Sequence, residues 1–425
     1  MITEFTGYDG VPATDAKVIA LVVNNAVADS ASAGDEVSVF LDKTPFYAES
    51  GGQVGDNGII KTEMGTVEVT DCIKVIGGKI AHIGTVSEGS ISVGDSAAAE
   101  IDRVRRLSTS RNHSATHLLQ KALRTVLGTH VEQAGSYVTP DRLRFDFTHF
   151  AAMTPEEIQQ VEDIVNEKIL ESLPISATQE SIEDARKLGA MALFGEKYGN
   201  IVRVVNMGGY SIELCGGAHL DNTAQVGSFK IVSESGIASG VRRIEALTGA
   251  AALKHYQHQE ESLKAVCKAV KSNPENMVKR VEAVIAEQKQ LAKELESLKA
   301  KMAGGAADSI LANAVEVKGI KLVAAEVKEA DANALRTMGD QLKNKLGSGV
   351  VVLASANGGK VNLLAMATDD AVKAGAHAGN IIKATAAVCG GGGGGRPNMA
   401  QAGGKDASKI TEALTKAKEV LEGQL

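Results

Sequence analysis

The sequence predicts a multidomain α+β chain in four parts: a small antiparallel β-barrel over residues 1–105, an α+β core over 106–250, a helical hairpin or coiled coil over 251–305, and a C-terminal α/β domain over 306–425. Three patterns predict it. Short β-prone runs alternate with turn signals before residue 100, helical and strand periods mix up to Gly249, and a heptad seam then leads into a second alternation of strands and helices.

The first part carries strand-like runs at Val18 to Val23, Val37 to Leu41, Thr66 to Val69 and Ile80 to Ile83, with Gly77-Gly78 and Gly94-Asp95 as turns. That spacing fits a small barrel. Inside it lies Thr44-Pro45-Phe46-Tyr47-Ala48-Glu49-Ser50-Gly51-Gly52-Gln53-Val54-Gly55-Asp56, whose glycines permit close backbone approach and whose Thr44, Glu49, Gln53 and Asp56 offer polar groups. Such a stretch reads as a turn between strands or as a pocket wall.

A helix is expected from about Thr109 to Leu127, capped by Ser108, Thr109 or Ser110. Thr154-Pro155-Glu156-Glu157 has a capping-box pattern, followed by Ile158, Val161, Val165 and Ile169 at helical spacing. A short helix near Ile182 to Leu188 and strands at Val202 to Val205 and Ile212 to Leu214 complete the core.

Beyond Gly249, Met277, Val281, Val284, Gln288, Leu291, Leu295, Leu298 and Met302 follow four-three spacing, which either pairs two chains or folds back on Leu253 to Val270. The hairpin with a role in homo-oligomer formation is the favoured reading, and Ala303-Gly304-Gly305 is expected to end the helix. The last part offers a strand at Ile320 to Val327, a helix at Ala332 to Leu346, and a hairpin about Asn357-Gly358-Gly359. Two helices follow, separated by Cys389, six glycines from Gly390 to Gly395, and Arg396. The run reads as a flexible linker or as exposed amides facing phosphates. It is not a phosphate-binding Walker loop, because Asp406 follows Gly404-Lys405.

Of the 425 residues 44% are hydrophobic and 23% charged, an ordinary globular composition, and no apolar run approaches the roughly 20 residues of a membrane span. A cytoplasmic protein without membrane association is expected. The four cysteines, Cys72, Cys215, Cys267 and Cys389, show no framework of spacings, so no structural disulfide is expected. A net charge of -7 argues against nonspecific coating of nucleic acid but leaves room for a local basic groove. Arg103, Arg105, Arg106 and Arg111 read equally as such a groove or as a solvated approach to the helix.

His113 and His117 stand one helical turn apart, so both imidazoles can close on one ion. Cys215 and His219 have the same spacing but straddle Gly216-Gly217, which favours a loop. A thiolate with three imidazoles suits zinc better than magnesium or calcium. An ordinary buried cysteine beside a solvated helix face is the plainer alternative. Ser114 rather than glutamate follows His113, which disfavours a zinc protease, and the pattern of a nucleic-acid deaminase is missing. Hydrolysis of an activated ester remains.

Thr44 to Asp56, Asn112 to His117, Gly189-Ala190-Met191-Ala192-Leu193-Phe194-Gly195-Glu196-Lys197-Tyr198, Cys215 to His219, Gly240-Val241-Arg242-Arg243-Ile244-Glu245-Ala246 and the glycine run together resemble the alanyl-tRNA synthetase family, in that family's order and over almost the whole chain. The resemblance is to the C-terminal half, with Ile2 to Asp9 similar to the lead into the editing domain. Nothing is expected to resemble the aminoacylation domain, so the chain should not charge tRNA by itself; free-standing editing proteins are the related class. The resemblance implies hydrolysis of seryl or glycyl esters wrongly placed on tRNA(Ala), a task sterics alone cannot replace. It implies zinc at His113, His117, Cys215 and His219, a pocket role for Gln53, and Thr44 facing the serine hydroxyl.

Four protein ligands would make a closed site, so three firm ligands are expected, with His219 as a weak ligand or a water-positioning base. Ala218 stands where the family usually has threonine, which removes a hydroxyl beside His219. Arg111, Arg242, Arg243, Gly392 and Arg396 are the candidate tRNA contacts, with Arg242 and Arg243 open to a purely structural role. The last domain resembles one that holds the tRNA elbow and is related to part of the DHH phosphoesterases. A noncatalytic tRNA-binding and oligomerisation module with structural zinc is the rival reading; a DHH-like phosphoesterase lacks its aspartate motifs here.

Overall fold

Six strands close into a barrel at the start of the chain: β1 (Ala13–Val23), β2 (Glu36–Leu41), β3 (Gly58–Lys61), β4 (Gly65–Val75), β5 (Lys79–Ser92) and β6 (Ser96–Ile101). Strand β6 pairs antiparallel with β3 on one side and with β1 on the other, so the ring has no free edge there. Alternation sends Val37, Val39 and Leu41 of β2 and Ala97, Ala99 and Ile101 of β6 inward, around Phe46 from the polar loop. The computed structural model describes residues 2–8, 13–191 and 199–425, and of 299–304 the backbone only. Asp9, Ala192 to Tyr198 and the side chain of Met302 therefore lie outside the described residues.

Helix α1 (Arg103–Leu127) leaves the barrel one residue after β6. It starts earlier than the expected Thr109, because Asp102 caps it by accepting from the Arg105 amide at 2.9 Å. Ser108 and Thr109 instead donate back to the carbonyls of Val104 and Arg105 inside the helix. Strands β7 (Gln133–Val138) and β8 (Leu143–Thr148) follow, then α2 (Pro155–Leu170), where Thr154 and Glu157 form the expected capping box. After β9 (Ile175–Ser181), α3 (Ile182–Lys187), β10 (Ile201–Met207) and β11 (Ser211–Leu214), the core ends with β12 (Phe229–Ala238) and β13 (Val241–Thr248). One sheet runs β7-β8-β13-β12 and the other β9-β10-β11. Leu118, Leu119 and Leu123 of α1, Val161 and Val165 of α2, and Phe145, Phe147 and Ile244 of the first sheet share one apolar core. Helix α4 (Gly249–Ala269) carries the chain from this unit, Met1–Val266, into the second, Cys267–Leu425.

In the second unit α5 (Met277–Leu311) runs through Ala303-Gly304-Gly305, which corrects the expected stop there. Two glycines cost about 2 kcal/mol of helix propensity, but Ala306, Ala307, Ile310 and Leu311 beyond them pack on the core of this unit, and that burial carries the helix on. Leu291, Leu295 and Leu298 of the heptad seam are each more than half exposed. Strands β14 (Val315–Val317), β15 (Ile320–Glu326), β16 (Val350–Asn357), β17 (Lys360–Ala367), β18 (Gly392–Gly395) and β19 (Met399–Gly404) form a sheet ordered β14-β15-β16-β17-β19-β18. Among these the β15–β16 pair is parallel, with α6 (Ala332–Leu346) between the two strands. Helices α7 (Ala378–Val388) and α8 (Ile410–Gln424) cover the other face.

Strand β18 overturns the linker reading of the glycine run. A Cβ on Gly393 would stand 2.3 Å from that of Ala402, and one on Gly395 would stand 2.6 Å from Ala400. Glycine is thus what lets this edge strand approach β19 closely.

Two expectations follow. Gly305 has open space around it within α5, so Gly305→Ala should raise stability by about 0.5–1 kcal/mol, seen as a higher urea midpoint; destabilisation would contradict a continuous helix. In the barrel, burial pushes His82 down to about 4, partly opposed by its hydrogen bond to the Val39 carbonyl. The unfolded chain binds this proton near 6.5 and the folded chain does not until about 4, so His82 stabilisation is lost as pH falls between those values, at about 1.4 kcal/mol per pH unit. An imidazole NMR signal titrating near 6.5 would refute the assignment.

Candidate metal centre

Helix periodicity places His113 and His117 on one face of α1, with ring centroids 5.5 Å apart and planes within 10° of parallel. Strand β11 ends at Leu214 and delivers Cys215 into a loop that returns His219 to the same point. The ligand atoms of His113, His117, Cys215 and His219 all lie within 4.8 Å of one another. His219 stands in the group as fully as the others, its Nε2 3.2 Å from Cys215 Sγ against 3.4 Å for His113 Nε2.

The outer hydrogen bonds show which nitrogens are free to bind. His113 Nδ1 faces Gln53 Oε1 at 2.7 Å, His117 Nδ1 faces Glu213 Oε2 at 2.7 Å, and His219 Nδ1 faces Ser114 Oγ at 3.2 Å. Each imidazole is thereby oriented with Nε2 inward, the arrangement by which a second layer of groups fixes metal-binding histidines. The inward Nε2 of His117 is buried and has no hydrogen-bond partner. A buried nitrogen left that way is costly unless an ion takes its lone pair. The sulfur and nitrogen donors suit a borderline-soft divalent ion.

Electrostatics agree with a thiolate at Cys215. Burial alone would push the thiol up, yet His113, His219 and His117 together hold it well below the usual thiol range. Burial disfavours charge on His117 too, but Glu213 and Cys215 outweigh it and raise its proton affinity. His219 is pushed down to about 3, chiefly by burial, with the thiolate opposing. Neutral His219 is the form that binds a metal.

The centre opens on a cleft of about 340 Å³ whose walls include Tyr47, Thr116, Gln133, Ser136 and Arg203. Gln53 comes to it from the barrel loop, which is hung on α1 by Arg106. That guanidinium donates through Nε to both oxygens of Asp56 at 2.9 Å and through Nη2 to the Pro45 carbonyl at 2.8 Å. Arg106, read from sequence equally as part of a basic groove or of a solvated helix approach, instead forms a buried structural pair with Asp56. Gly217 is required by close approach: its Cβ would stand 2.0 Å from His113 Cε1. The Ala218 amide donates to Gln53 Oε1 at 2.9 Å, so this position still contributes through its backbone.

Other expected residues lie elsewhere. Thr44 is fully buried in the barrel, its hydroxyl 2.7 Å from His82 Nε2 and accepting from the Phe46 amide, and it is not in the wall of the cleft. Because His82 Nδ1 faces the Val39 carbonyl, the Thr44 hydroxyl donates to Nε2 and is not free for a substrate serine. Arg242 pairs with Glu234 and Arg243 with Asp146, both on β13, which supports their structural role. Arg111 donates through Nε to the Gln225 carbonyl. In the second unit Gly392 and Arg396 are exposed, and Arg396 has no acidic partner among the described residues.

Sequence reasoning missed Glu213, Ser114, Arg203 and Tyr8. For Glu213 a signal existed, because a residue two before Cys215 on a strand shares its face. Arg203 and Tyr8 carry no local signal.

The family profile described as tRNA synthetases class II (A) matches residues 1–105, that for the threonyl and alanyl tRNA synthetase second additional domain matches 202–245, and that for the DHHA1 domain matches 319–423. The alanine–tRNA ligase of Acetivibrio thermocellus is 59% identical over 423 residues, and alanine–tRNA ligase 1 of Lachnoclostridium phytofermentans is 53% identical over 423, each covering all of this chain and 48% of the relative. That of Geobacillus kaustophilus is 50% identical over 412 residues, 97% of this chain and 46% of the relative. The chain thus spans about half the length of the curated relatives it matches. Its homologues are alanine–tRNA ligases along its whole length. The class II profile falls on residues 1–105, which corrects the expectation that nothing here resembles the aminoacylation domain. The C-Ala domain of Aquifex aeolicus alanyl-tRNA synthetase is 32% identical over 26% of this chain and 99% of its own, with a TM-score of 0.25. No described helix is long and apolar enough to cross a membrane.

Gly217→Ala should displace His113 and weaken divalent-metal binding by about 10–100-fold, measured by competition against a chelating dye; unchanged affinity would show that the loop does not set the donor geometry.

Proposed function

We propose that this chain hydrolyses aminoacyl esters of tRNA, seryl or glycyl groups wrongly attached to tRNA(Ala), at a zinc ion bound by His113, His117, Cys215 and His219. The observation that carries the reading is the donor cluster itself: three imidazoles oriented from outside, with one inward nitrogen unpartnered, at the floor of an open polar cleft. Bound zinc supplies a Lewis acid for the ester carbonyl or a water. The protein's part is placement. Gln53 and Glu213 hold the rings of His113 and His117, Gly217 leaves room for His113, and the cleft admits a small aminoacyl group beside Thr116, Gln133 and Ser136.

Similarity to alanine–tRNA ligases and to the threonyl and alanyl second additional domain supports tRNA as the partner. A pocket selecting alanine rejects smaller glycine poorly and a small added hydroxyl only modestly, so hydrolysis after the error is the physical remedy. In the second unit, Arg396, which shares a cleft with Lys343, and the exposed Gly392 of β18 are the proposed tRNA contact, and the exposed seam of α5 the proposed surface for homo-oligomer formation.

Purified chain with seryl-tRNA(Ala) tests the hydrolytic reading. Deacylation should fall at least about a hundredfold in Cys215→Ala and on chelation, with zinc restoring only the latter, while circular dichroism shows a folded protein. Equal, background-level hydrolysis by intact and Cys215→Ala chains would leave a noncatalytic tRNA-binding module with structural metal.

A further inference from the structure

A second cleft, about 380 Å³, lies on the other side of the metal loop, with Tyr8, Arg103, Ser110, Ala218 and His219 in its walls. Among the described residues Arg203 alone lines both clefts. Its Nη1 donates to the carbonyls of Cys215 at 3.0 Å and Gly217 at 2.9 Å, while its Cζ lies over the Tyr8 ring, 4.1 Å from the centroid. Tyr8 in turn donates to the Gly216 carbonyl at 2.6 Å. Three successive carbonyls of the metal loop are thus held by one stacked pair, and the Ala218 amide that follows is held by Gln53.

One guanidinium nitrogen does this work. Nε and Nη2 of Arg203 have no hydrogen-bond partner among the described residues and are not sealed away from solvent. Arg103 is exposed and likewise has no acidic partner, whereas the charge of Arg106 in the same wall is cancelled by Asp56. Among the described residues Asp221 is the one acid in that wall. Among the described residues two arginines stand against one carboxylate in the second cleft, the environment for a phosphodiester and not for an amine.

We propose that the second cleft binds the phosphodiester backbone of a single-stranded RNA end, and that Arg203 joins the two clefts. It positions the metal loop with one nitrogen and takes a phosphate with the others, while Arg103 takes a neighbouring phosphate. Resting on the hydrolytic reading, this places the esterified terminal nucleotide at the metal and runs the strand past Arg203 into the second cleft. Arg203 is accordingly a positioning residue toward the metal and a contact residue toward the RNA.

The test uses the full chain and a short, unesterified single-stranded RNA of the tRNA 3′-end sequence, titrated over a range of KCl. Each single-strand phosphate contact contributes about 0.7 to the slope of log affinity against log salt. Arg103→Gln and Arg203→Gln should each lower that slope by about this amount. Arg203→Lys, which keeps the charge but not the planar Nη1 that bonds two carbonyls, should keep the slope and lower kcat for ester hydrolysis more than it raises KM. Arg103→Gln should do the reverse, with metal content at the wild-type level. Wild-type slopes in both glutamine variants would overturn the proposal, and Arg103→Gln decides alone if Arg203→Gln loses metal or fold. An intact chain that binds the RNA with these slopes yet leaves the ester untouched would sink the hydrolytic reading and spare this one.

Discussion

Everything in the first unit turns on gathering a thiol and three imidazoles at one buried point. Such a group is unfavourable by itself, because burial penalises each charged form and leaves His117 Nε2 without a partner. The structure accepts that cost and directs it, since Gln53, Glu213 and Ser114 each claim the outward nitrogen of one ring. What remains facing inward is a set of lone pairs that a divalent cation satisfies. On the proposed reading folding and metal binding would be coupled, because the donors come from α1 and a distant loop and an ion would hold them more firmly than any contact between the donors themselves.

The barrel contributes directly to this arrangement. Its polar loop carries Gln53, and the loop is fixed by the buried Asp56 and Arg106 pair and by a hydrogen bond to Pro45. Removing one partner of such a pair strands a buried charge at a cost of about 3–5 kcal/mol. The same economy appears in the loop from Cys215 to His219, where Arg203, Tyr8 and Gln53 hold four successive backbone groups. A loop so restrained presents its ligands with little conformational freedom left to lose on binding. On the proposed hydrolytic reading, discrimination of a serine hydroxyl would fall to the walls of the cleft, because Thr44 is committed to His82.

The second unit follows a different logic. Its glycine run is an edge strand held close to β19, and its long helix continues through two glycines because the residues beyond them are buried. Packing overrules local propensity in both places. The homologues are alanine–tRNA ligases over the whole chain, and the match spans both units without assigning a chemistry to either.

Much of this was legible in the residues alone. Period-two strands gave the barrel, the capping box at Thr154 gave α2, and the two four-residue windows named all four donors, since ligand spacing on a helix is a local property. Local chemistry could not choose between Asp102 and the serines downstream as the cap of α1, nor tell a glycine linker from a glycine strand. It also could not say which arginines are spent on acids, as Arg106, Arg242 and Arg243 are, and which have no acidic partner among the described residues, as Arg103 has none. Those outcomes depend on partners far away in the chain. Sequence by itself therefore determined the element types and the donor chemistry, whereas only tertiary structure decided the orientation of each imidazole, the burial of Thr44 and the pairing of each charge, because these are set by long-range contacts that no local pattern encodes.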